Sequence, residues 1–222
     1  IAFMTSWLFL PWTIKFLWGP IVDTIGTKRK WIIYTQFSIA IASLLASFFL
    51  GYKFFLYITL TLFMSMAFMS ATHDIAVDGF YMLSMDEKKQ AFFVGIRAFS
   101  YRLAMLFSSS VLLIYAGNLE KNTGDIVGSW QIVFGIIAII MAVLFLYHAV
   151  ILPFPDSDSP KKFEWNEFKA AFISYIKIEK IWLAISFIIL YRFGESMLLK
   201  IAPLFMLDSA GSGGLGLDTA SY

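Results

Sequence analysis

Residues 19–52 read GPIVDTIGTKRKWIIYTQFSIAIASLLASFFLGY, so a short basic stretch is followed by a long run without a charged residue. A helix that rises 1.5 Å per residue needs about 20 apolar residues to cross the ~30 Å hydrocarbon core of a bilayer. The run from Trp31 to Tyr52 has that length. The stretch therefore predicts a membrane-spanning helix that starts beside a positively charged loop.

Five further apolar runs of similar or greater length occupy most of the 222 residues, of which 59% are hydrophobic and 14% charged. Soluble domains have about 25% charged residues, so the composition excludes a disordered chain and a basic nucleic-acid-binding domain. Barrel strands are shorter and alternate polar with apolar residues. We predict an all-α polytopic membrane protein, a fragment with about six transmembrane helices. The runs cover Ile1–Val22, Trp31–Tyr52, Phe54–Met85, Ala91–Gly117, Trp130–Leu152 and Ile181–Leu207.

The connections between the runs differ sharply in charge. The alternate connections carry only Lys53 and Lys121, whereas the loops 23–30, 86–90 and 154–180 carry ten basic residues. Lys and Arg concentrate in cytoplasmic loops, so these three loops are expected in the cytoplasm and the chain in the inner (plasma) membrane. The basic residues are Lys28, Arg29, Lys30, Lys88, Lys89, Lys161, Lys162, Lys169, Lys177 and Lys180.

The stretch from 154 to 180 predicts a linker between two bundles. It begins with Pro, Asp and Ser residues, which interrupt helices. Trp165, Phe168, Phe172 and Ile176 follow at helical spacing, which indicates an amphipathic helix on the inner membrane surface. We therefore predict an N-terminal bundle over 1–153 that lacks its first helix, the linker over 154–180, and the first helix and outer loop of a C-terminal bundle over 181–222.

The basic loop fits the pattern G-x-x-x-D-x-x-G-x-K-R-K. Its residues are Gly19, Asp23, Gly26, Lys28, Arg29 and Lys30. The glycines permit a tight turn between two spans, and the cations can bind anionic lipid headgroups. A loop that only sets topology remains an alternative. The pattern resembles the loop signature between the second and third helices of the major facilitator superfamily, although Thr24 replaces the usual arginine. The resemblance implies that the fragment starts at the second helix of that fold.

Four further stretches narrow the resemblance. LPWTIKFLWGP at 10–20, ATHDIAVDG at 71–79 and YRL at 101–103 are similar to motifs of the AmpG-type muropeptide permeases and the related acetyl-CoA transporters, and LYRFGE at 190–195 resembles their seventh helix. His73 stands where that family is expected to have glutamine. The resemblance implies proton-coupled uptake of a polar, anionic, sugar-containing solute such as a muropeptide.

Ionisable residues inside the apolar runs give the strongest functional signal. A charge near the bilayer centre costs several kcal/mol unless it is paired or hydrated, and such residues usually serve function. We therefore expect the following residues to take part in proton coupling or substrate binding: Lys15, Asp74, Asp78, Arg97, Arg102, Arg192, Glu195 and Lys200.

Counting from the turn near residue 87 places these charges at matching depths. Asp78 lies nine residues before it and Arg97 ten after, while Asp74 lies thirteen before and Arg102 fifteen after. Each pair can therefore meet across an antiparallel hairpin. The two arginines differ by about 140° around one helix, so we expect one to pair and the other to face a cavity. Either pair could instead only fix helix register. Asp74 is our candidate for the proton- or substrate-coupling group.

Arg192 and Glu195 are i, i+3 neighbours that could neutralise each other, while Arg192 and Lys200 could together attract an anion. Lys15 could contact substrate or extend toward the headgroups. We predict a secondary active transporter that is a monomer in the lipid bilayer and not an enzyme. Its expected partners are a small-molecule solute and protons, with no nucleic acid, cofactor or metal.

Three alternatives to this interpretation stay open. The first is a carrier of acetyl-CoA or another organic anion. The second is a membrane-bound acyltransferase with His73 and Asp78 as base and orienting acid. The third is a structural or receptor-like membrane protein that transports nothing.

Overall fold

The computed structural model describes residues 7–159, 165–187, 190–191, 194, 205–206 and 208–216. The chain divides into two compact units, Ile1–Phe163 and Glu164–Tyr222. The described residues contain helices and no strand. This confirms the prediction of an all-α fold.

Within the part of the chain that the structure describes, four helical stretches are long and apolar enough to cross a membrane, all in the first unit. The short helices α1 (Leu10–Ile14) and α2 (Gly19–Thr24) precede them. Three of the stretches are single helices, α3 (Lys28–Phe49), α4 (Phe55–Ser84) and α7 (Ile126–Ile151). The fourth stretch, from Glu87 to Thr123, consists of α5 (Glu87–Leu106), a π-helical segment (Phe107–Val111) and α6 (Leu112–Thr123). These stretches correspond to the second to fifth predicted runs.

The helix ends follow local sequence signals. Thr27, Asp86 and Asp125 each accept a backbone N–H bond three residues later, which caps α3, α5 and α7. Gly124 ends α6 in the left-handed conformation at φ 70°, which glycine adopts without strain. These caps explain why the observed helices begin a few residues before the apolar runs.

The first predicted run is not one continuous helix in its described part. Residues 7–24 form α1 and α2 with 3₁₀ turns at Trp7–Phe9 and Lys15–Leu17. Pro11 and Pro20 each lie in the first turn of a short helix. Proline lacks an N–H and crowds the preceding turn, so it starts a helix more readily than it continues one. The expectation of one uninterrupted span here is corrected accordingly.

Helix α3 lies between α4 and α7 and packs closely against both. Its buried side chains are mostly small, including Ala40, Ala42, Ser43 and Ala46, which allows the helix axes to approach. Ser47 donates a hydrogen bond of 2.6 Å to the Gln131 carbonyl on α7. Polar groups therefore bond across helices where the lipid offers them no partner.

Helices α5 and α6 contact the rest of the unit differently. Leu112 and Ala116 of α6 pack against Val133 of α7 in a small apolar core. The side chains of α5 are mostly exposed, and the π-helical segment separates α5 from α6. The stretch Glu87–Thr123 therefore packs against α7 through α6, whereas most side chains of α5 are exposed on the surface of the first unit.

The second unit contains the helix α8 (Trp165–Ile176), at the place where the sequence predicts an amphipathic helix. The Phe168 and Phe172 side chains lie outside the described residues. Residues 181–187 are helical, and a short 3₁₀ turn occupies Ala210–Ser212. The remainder of the sixth predicted run lies mainly outside the described residues. The division into two bundles and the membrane-surface role of α8 stay predictions.

Candidate functional site: the intramembrane charges

Lys15 and Asp74 form an ion pair between the first segment and α4. The Lys15 Nζ lies 2.5 Å from the Asp74 Oδ2, and the two side chains are 34% and 30% exposed. The Trp12 ring centroid lies 5.2 Å from the same Nζ, close enough for a cation–π interaction. The pair is therefore desolvated on part of its surface and accessible on the rest.

Trp18 fixes the first segment against α4 near this pair. Its indole Nε1 donates a hydrogen bond of 3.1 Å to the Thr72 hydroxyl, and its ring lies 5.5 Å from that of Phe68. Thr72 is buried and two residues from Asp74. The helix breaks around Lys15 and Trp18 therefore bring both side chains onto one stretch of α4.

Asp78 and Arg97 form the ion pair that the hairpin count predicts, between α4 and α5. The guanidinium also lies 5.3 Å from the Tyr81 ring centroid. The Tyr81 hydroxyl donates to the Gln90 carbonyl across the same hairpin. These contacts hold α5 to α4 near their shared turn.

Arg102 is placed differently from the prediction. Asp74 is paired with Lys15 of the first segment instead of Arg102. Arg102 forms no ion pair among the described residues. It lies with Arg97 and Tyr101 on the wall of an open depression of about 650 Å³ on α5. Because both arginines line this depression, the expected division of roles between them stays a prediction.

The candidate residues Arg192, Glu195 and Lys200 of the sixth run lie outside the described residues. Their predicted role in attracting an anion stays a prediction. The charges that the structure brings together are therefore Lys15 with Asp74 and Asp78 with Arg97.

The loop motif folds around a buried lysine. The Lys28 side chain is 7% exposed; its Nζ lies 2.6 Å from the Asp23 Oδ1 and donates to the Val22 carbonyl at 2.8 Å. A Cβ on Gly79 of α4 would lie 2.7 Å from the Lys28 Cε. Gly79 therefore leaves room for the lysine between α3 and α4.

The other motif residues shape the turn. Gly19 begins α2, and Gly26 has a φ of 72° just after that helix ends. The Trp31 indole donates to the Ile25 carbonyl at 2.6 Å. The Lys30 backbone N–H donates to the Thr27 hydroxyl at the start of α3. The turn thus directs the chain from α2 into α3.

Arg29 and Asp158 join three chain segments at this end of the unit. The Arg29 side chain donates to the Ala149 and Leu152 carbonyls at the end of α7. The Asp158 carboxylate accepts the backbone N–H groups of Lys28 and Arg29 at 2.8 and 3.1 Å. Asp158 is not among the residues predicted from the sequence, because a carboxylate in a Pro-rich linker gives no local sign of its distant partner.

A second group of polar contacts was also missed. Thr35 and Gln36 are adjacent on α3 and contact the two histidines of the chain, His73 on α4 and His148 on α7. The sequence signals were the adjacent polar residues Thr35 and Gln36 near the start of the second apolar run and the two histidines inside other runs. The His73 ring is thus directed toward Thr35, while Asp78 pairs with Arg97. The geometry does not form the His73–Asp78 dyad that the acyltransferase alternative requires.

The described residues include no group of three or more His, Cys, Asp or Glu side chains that could hold a metal ion. The arrangement supplies charged pairs and polar groups inside a membrane-spanning unit. Its chemistry is therefore suited to binding ions and exchanging protons.

Comparisons with known proteins identify the family of the chain. The whole chain, residues 1–222, matches the model of the Major Facilitator Superfamily. It is 30% identical to AmpG 4 of Rickettsia felis over 146 residues, which are 62% of this chain and 33% of the relative. It is 26% identical to the anhydromuropeptide permease of Escherichia coli K12 over 208 residues, 90% of this chain and 40% of the relative.

AmpG 2 of Rickettsia typhi is 27% identical over 203 residues, 88% of this chain and 47% of the relative. The chain therefore spans less than half the length of these curated relatives. No solved structure was found to match the chain. The match over residues 1–222, together with the long apolar helices, shows that the chain is a multi-pass membrane protein that belongs to the Major Facilitator Superfamily of transporters.

Proposed function

We propose that the protein to which this chain belongs is a secondary transporter that takes up a polar anionic solute with protons across the inner membrane. A muropeptide is the proposed solute, because the Escherichia coli relative is named as an anhydromuropeptide permease. The two bundles predicted from the sequence would rock about a central site. The observation that carries the proposal is the half-accessible Lys15–Asp74 pair.

The Lys15–Asp74 pair is suited to couple solute binding to proton uptake, because Lys15 can bind an anion in place of Asp74 and Asp74 can bind a proton in place of Lys15. An anionic group of the solute can replace Asp74 as the partner of Lys15, whose side chain is 34% exposed. A carboxylate that loses its cationic partner in a low-dielectric site gains affinity for a proton. Binding of one anionic group and uptake of one proton by the Asp74 carboxylate then leave the net charge of the site unchanged.

The two arginines of α5 are proposed to have different roles. Arg97 is neutralised by Asp78 and supports the hairpin. Arg102 has no ion-pair partner among the described residues and lies on the open depression of α5. It is the described cation that remains available to a second anionic group of the solute.

The proposal is tested by uptake into proteoliposomes that contain the full-length protein. With an inward proton gradient, the wild type should accumulate labelled anhydromuropeptide, and excess acetyl-CoA should not compete. Asp74→Asn should lose accumulation by tenfold or more while still exchanging solute without a gradient. Asp86→Asn is the matched control, because Asp86 is an exposed cap and asparagine also caps helices.

Unchanged gradient-driven accumulation in Asp74→Asn would remove the coupling role. Competition by acetyl-CoA together with no muropeptide uptake would favour the organic-anion alternative. No flux of either solute would favour a membrane protein without transport activity.

A further inference from the structure

The two histidines of the chain lie on opposite sides of α3 and contact neighbouring residues of it. The His73 Nδ1 on α4 lies 2.9 Å from the Thr35 Oγ1. The His148 Nδ1 on α7 lies 2.8 Å from the Gln36 Nε2 and 3.0 Å from its Oε1. Thr35 and Gln36 are 1% and 3% exposed, so the contacts lie inside the packed part of the first unit.

Both α3 partners can donate or accept a hydrogen bond. The Thr35 hydroxyl lies 2.7 Å from the Trp31 carbonyl; when it donates there, its oxygen accepts from the His73 Nδ1–H. The Gln36 amide offers an N–H₂ to a neutral His148 ring and its oxygen to a protonated one after rotation. Either ring can therefore change its protonation state without leaving its partner on α3 unsatisfied.

The charges near the pair limit how many protons it can hold. His73 is within electrostatic range of His148 and of Asp74. Asp74 is engaged by Lys15. Toward the start of α3, Lys28 is held by Asp23 and by a carbonyl, and Arg29 is held by carbonyls. Two positive charges on the rings would repel each other, so at most one of the two rings is expected to carry a proton at a time.

We propose that His73 and His148 form a second proton-binding site, organised by Thr35 and Gln36, that takes up one proton in addition to any bound by Asp74. The proton binds the nitrogen lone pair of one imidazole, and no other bond is broken. Unperturbed imidazole titrates near neutral pH, and burial disfavours its charged form. The inference stands independently of the proposed solute and of coupling through Asp74.

The direct test is ¹⁵N NMR of the full-length protein, labelled at histidine and held in lipid nanodiscs. His73→Gln and His148→Gln assign the two ring signals, since glutamine keeps a hydrogen-bonding group at each place. We expect at least one ring to titrate between pH 5 and 8. Removing one histidine should move the titration midpoint of the other by about 0.5 pH unit or more, because interacting sites titrate together.

A second variant keeps both rings and removes only a partner. Thr35→Val should shift the His73 midpoint, while Thr61→Val should not, because Thr61 bonds only to the Tyr57 carbonyl of its own helix. This comparison also decides the question if a histidine variant does not fold. Rings that stay neutral from pH 5 to 8, or midpoints unaffected by Thr35→Val and by loss of the other ring, would overturn the proposal.

The same spectra separate this site from the coupling role of Asp74. In Asp74→Asn the rings should still titrate, whether or not accumulation is lost. Titration in a protein that shows no proton-driven uptake would support the histidine site and contradict the proposed coupling. Loss of all ring titration in Asp74→Asn would contradict a separate site.

Discussion

Among the described residues, the candidate intramembrane charges lie beside an oppositely charged partner or on an open depression. Lys15 meets Asp74, and Asp78 meets Arg97. An unpaired charge in hydrocarbon costs several kcal/mol, whereas a pair that keeps some access to water costs far less. Lys15 and Asp74 are about one-third exposed, so this pair can separate and exchange partners more readily than a fully buried pair.

Gly79 leaves space for the buried Lys28 side chain because it has no side chain of its own. Gly79→Ala places a Cβ 2.7 Å from Lys28 Cε and 3.1 Å from Cδ. The lysine cannot easily withdraw, because its Nζ is bonded to Asp23 and Val22. We expect a loss of about 1–2 kcal/mol of stability, as overpacking typically costs, measured by thermal denaturation of the purified protein.

Gly95→Ala is the matched control, since a Cβ there meets nothing within 4 Å and alanine favours helix by about 0.5–1 kcal/mol over glycine. In a Lys28→Ala background the cost of Gly79→Ala should disappear. Equal effects at Gly79 and Gly95, or no rescue by Lys28→Ala, would contradict the close contact.

At the scale of elements, the helix ends near the loop motif satisfy one another across the unit. Asp158 accepts two N–H groups at the start of α3, and Arg29 donates to carbonyls at the end of α7. A negative charge suits a helix start and a positive charge suits a helix end. Phe154 lies over the Arg29 guanidinium at 3.8 Å, so residues 152–158 are part of the first unit.

Asp158→Ala tests this junction. Loss of a capping carboxylate costs about 0.5–2 kcal/mol, which lowers the melting temperature of a chain of this size by about 2–4 °C per kcal/mol. Asp158→Asn, which keeps one acceptor oxygen, should lose less. Asp156→Ala is the control because Asp156 is exposed in the same segment. Melting temperatures that fall equally in Asp156→Ala and Asp158→Ala would argue against the cap.

The elements could be predicted to the extent that their signals are local. The apolar runs from Trp31 to Leu152 match four helical stretches because hydropathy and length act along one segment. The Asp78–Arg97 pair could be predicted because residues equally far from the turn of a tight hairpin lie at the same depth in the membrane. The break of the first run depends on Pro11 and Pro20, whose effect in a span is set by neighbouring helices.

The rest of the site depends on contacts between distant segments. Lys15 reaches Asp74 across 59 residues, and Asp158 reaches Lys28 across 130. Counting residues from the turn between α4 and α5 relates only residues of these two helices. It cannot reveal that Lys15 is the partner of Asp74 or that Asp158 is the partner of Lys28. The sequence therefore identified Lys15 and Asp74 as candidates but paired Asp74 with Arg102, and it gave no reason to connect Asp158 with the loop motif.

For the whole molecule, orientation in the membrane decides from which side the solute would reach the Lys15–Asp74 pair. The basic loops 23–30 and 86–90 and the start of the linker lie at one end of the long helices, and the junctions at Lys53 and Lys121 lie at the other. The charge difference predicts that the first end faces the cytoplasm. Uptake then requires the solute to enter from the end that carries few basic residues.

Cysteine labelling tests this orientation, since the chain itself contains no cysteine. A membrane-impermeant maleimide should label Lys121→Cys in intact cells and Lys88→Cys only after the membrane is permeabilised. Both positions are exposed near helix ends, so a difference in labelling reports the side of the membrane and not burial. Protein without an introduced cysteine gives the background. Labelling of Lys88→Cys in intact cells, with Lys121→Cys protected, would reverse the orientation and with it the proposed direction of transport.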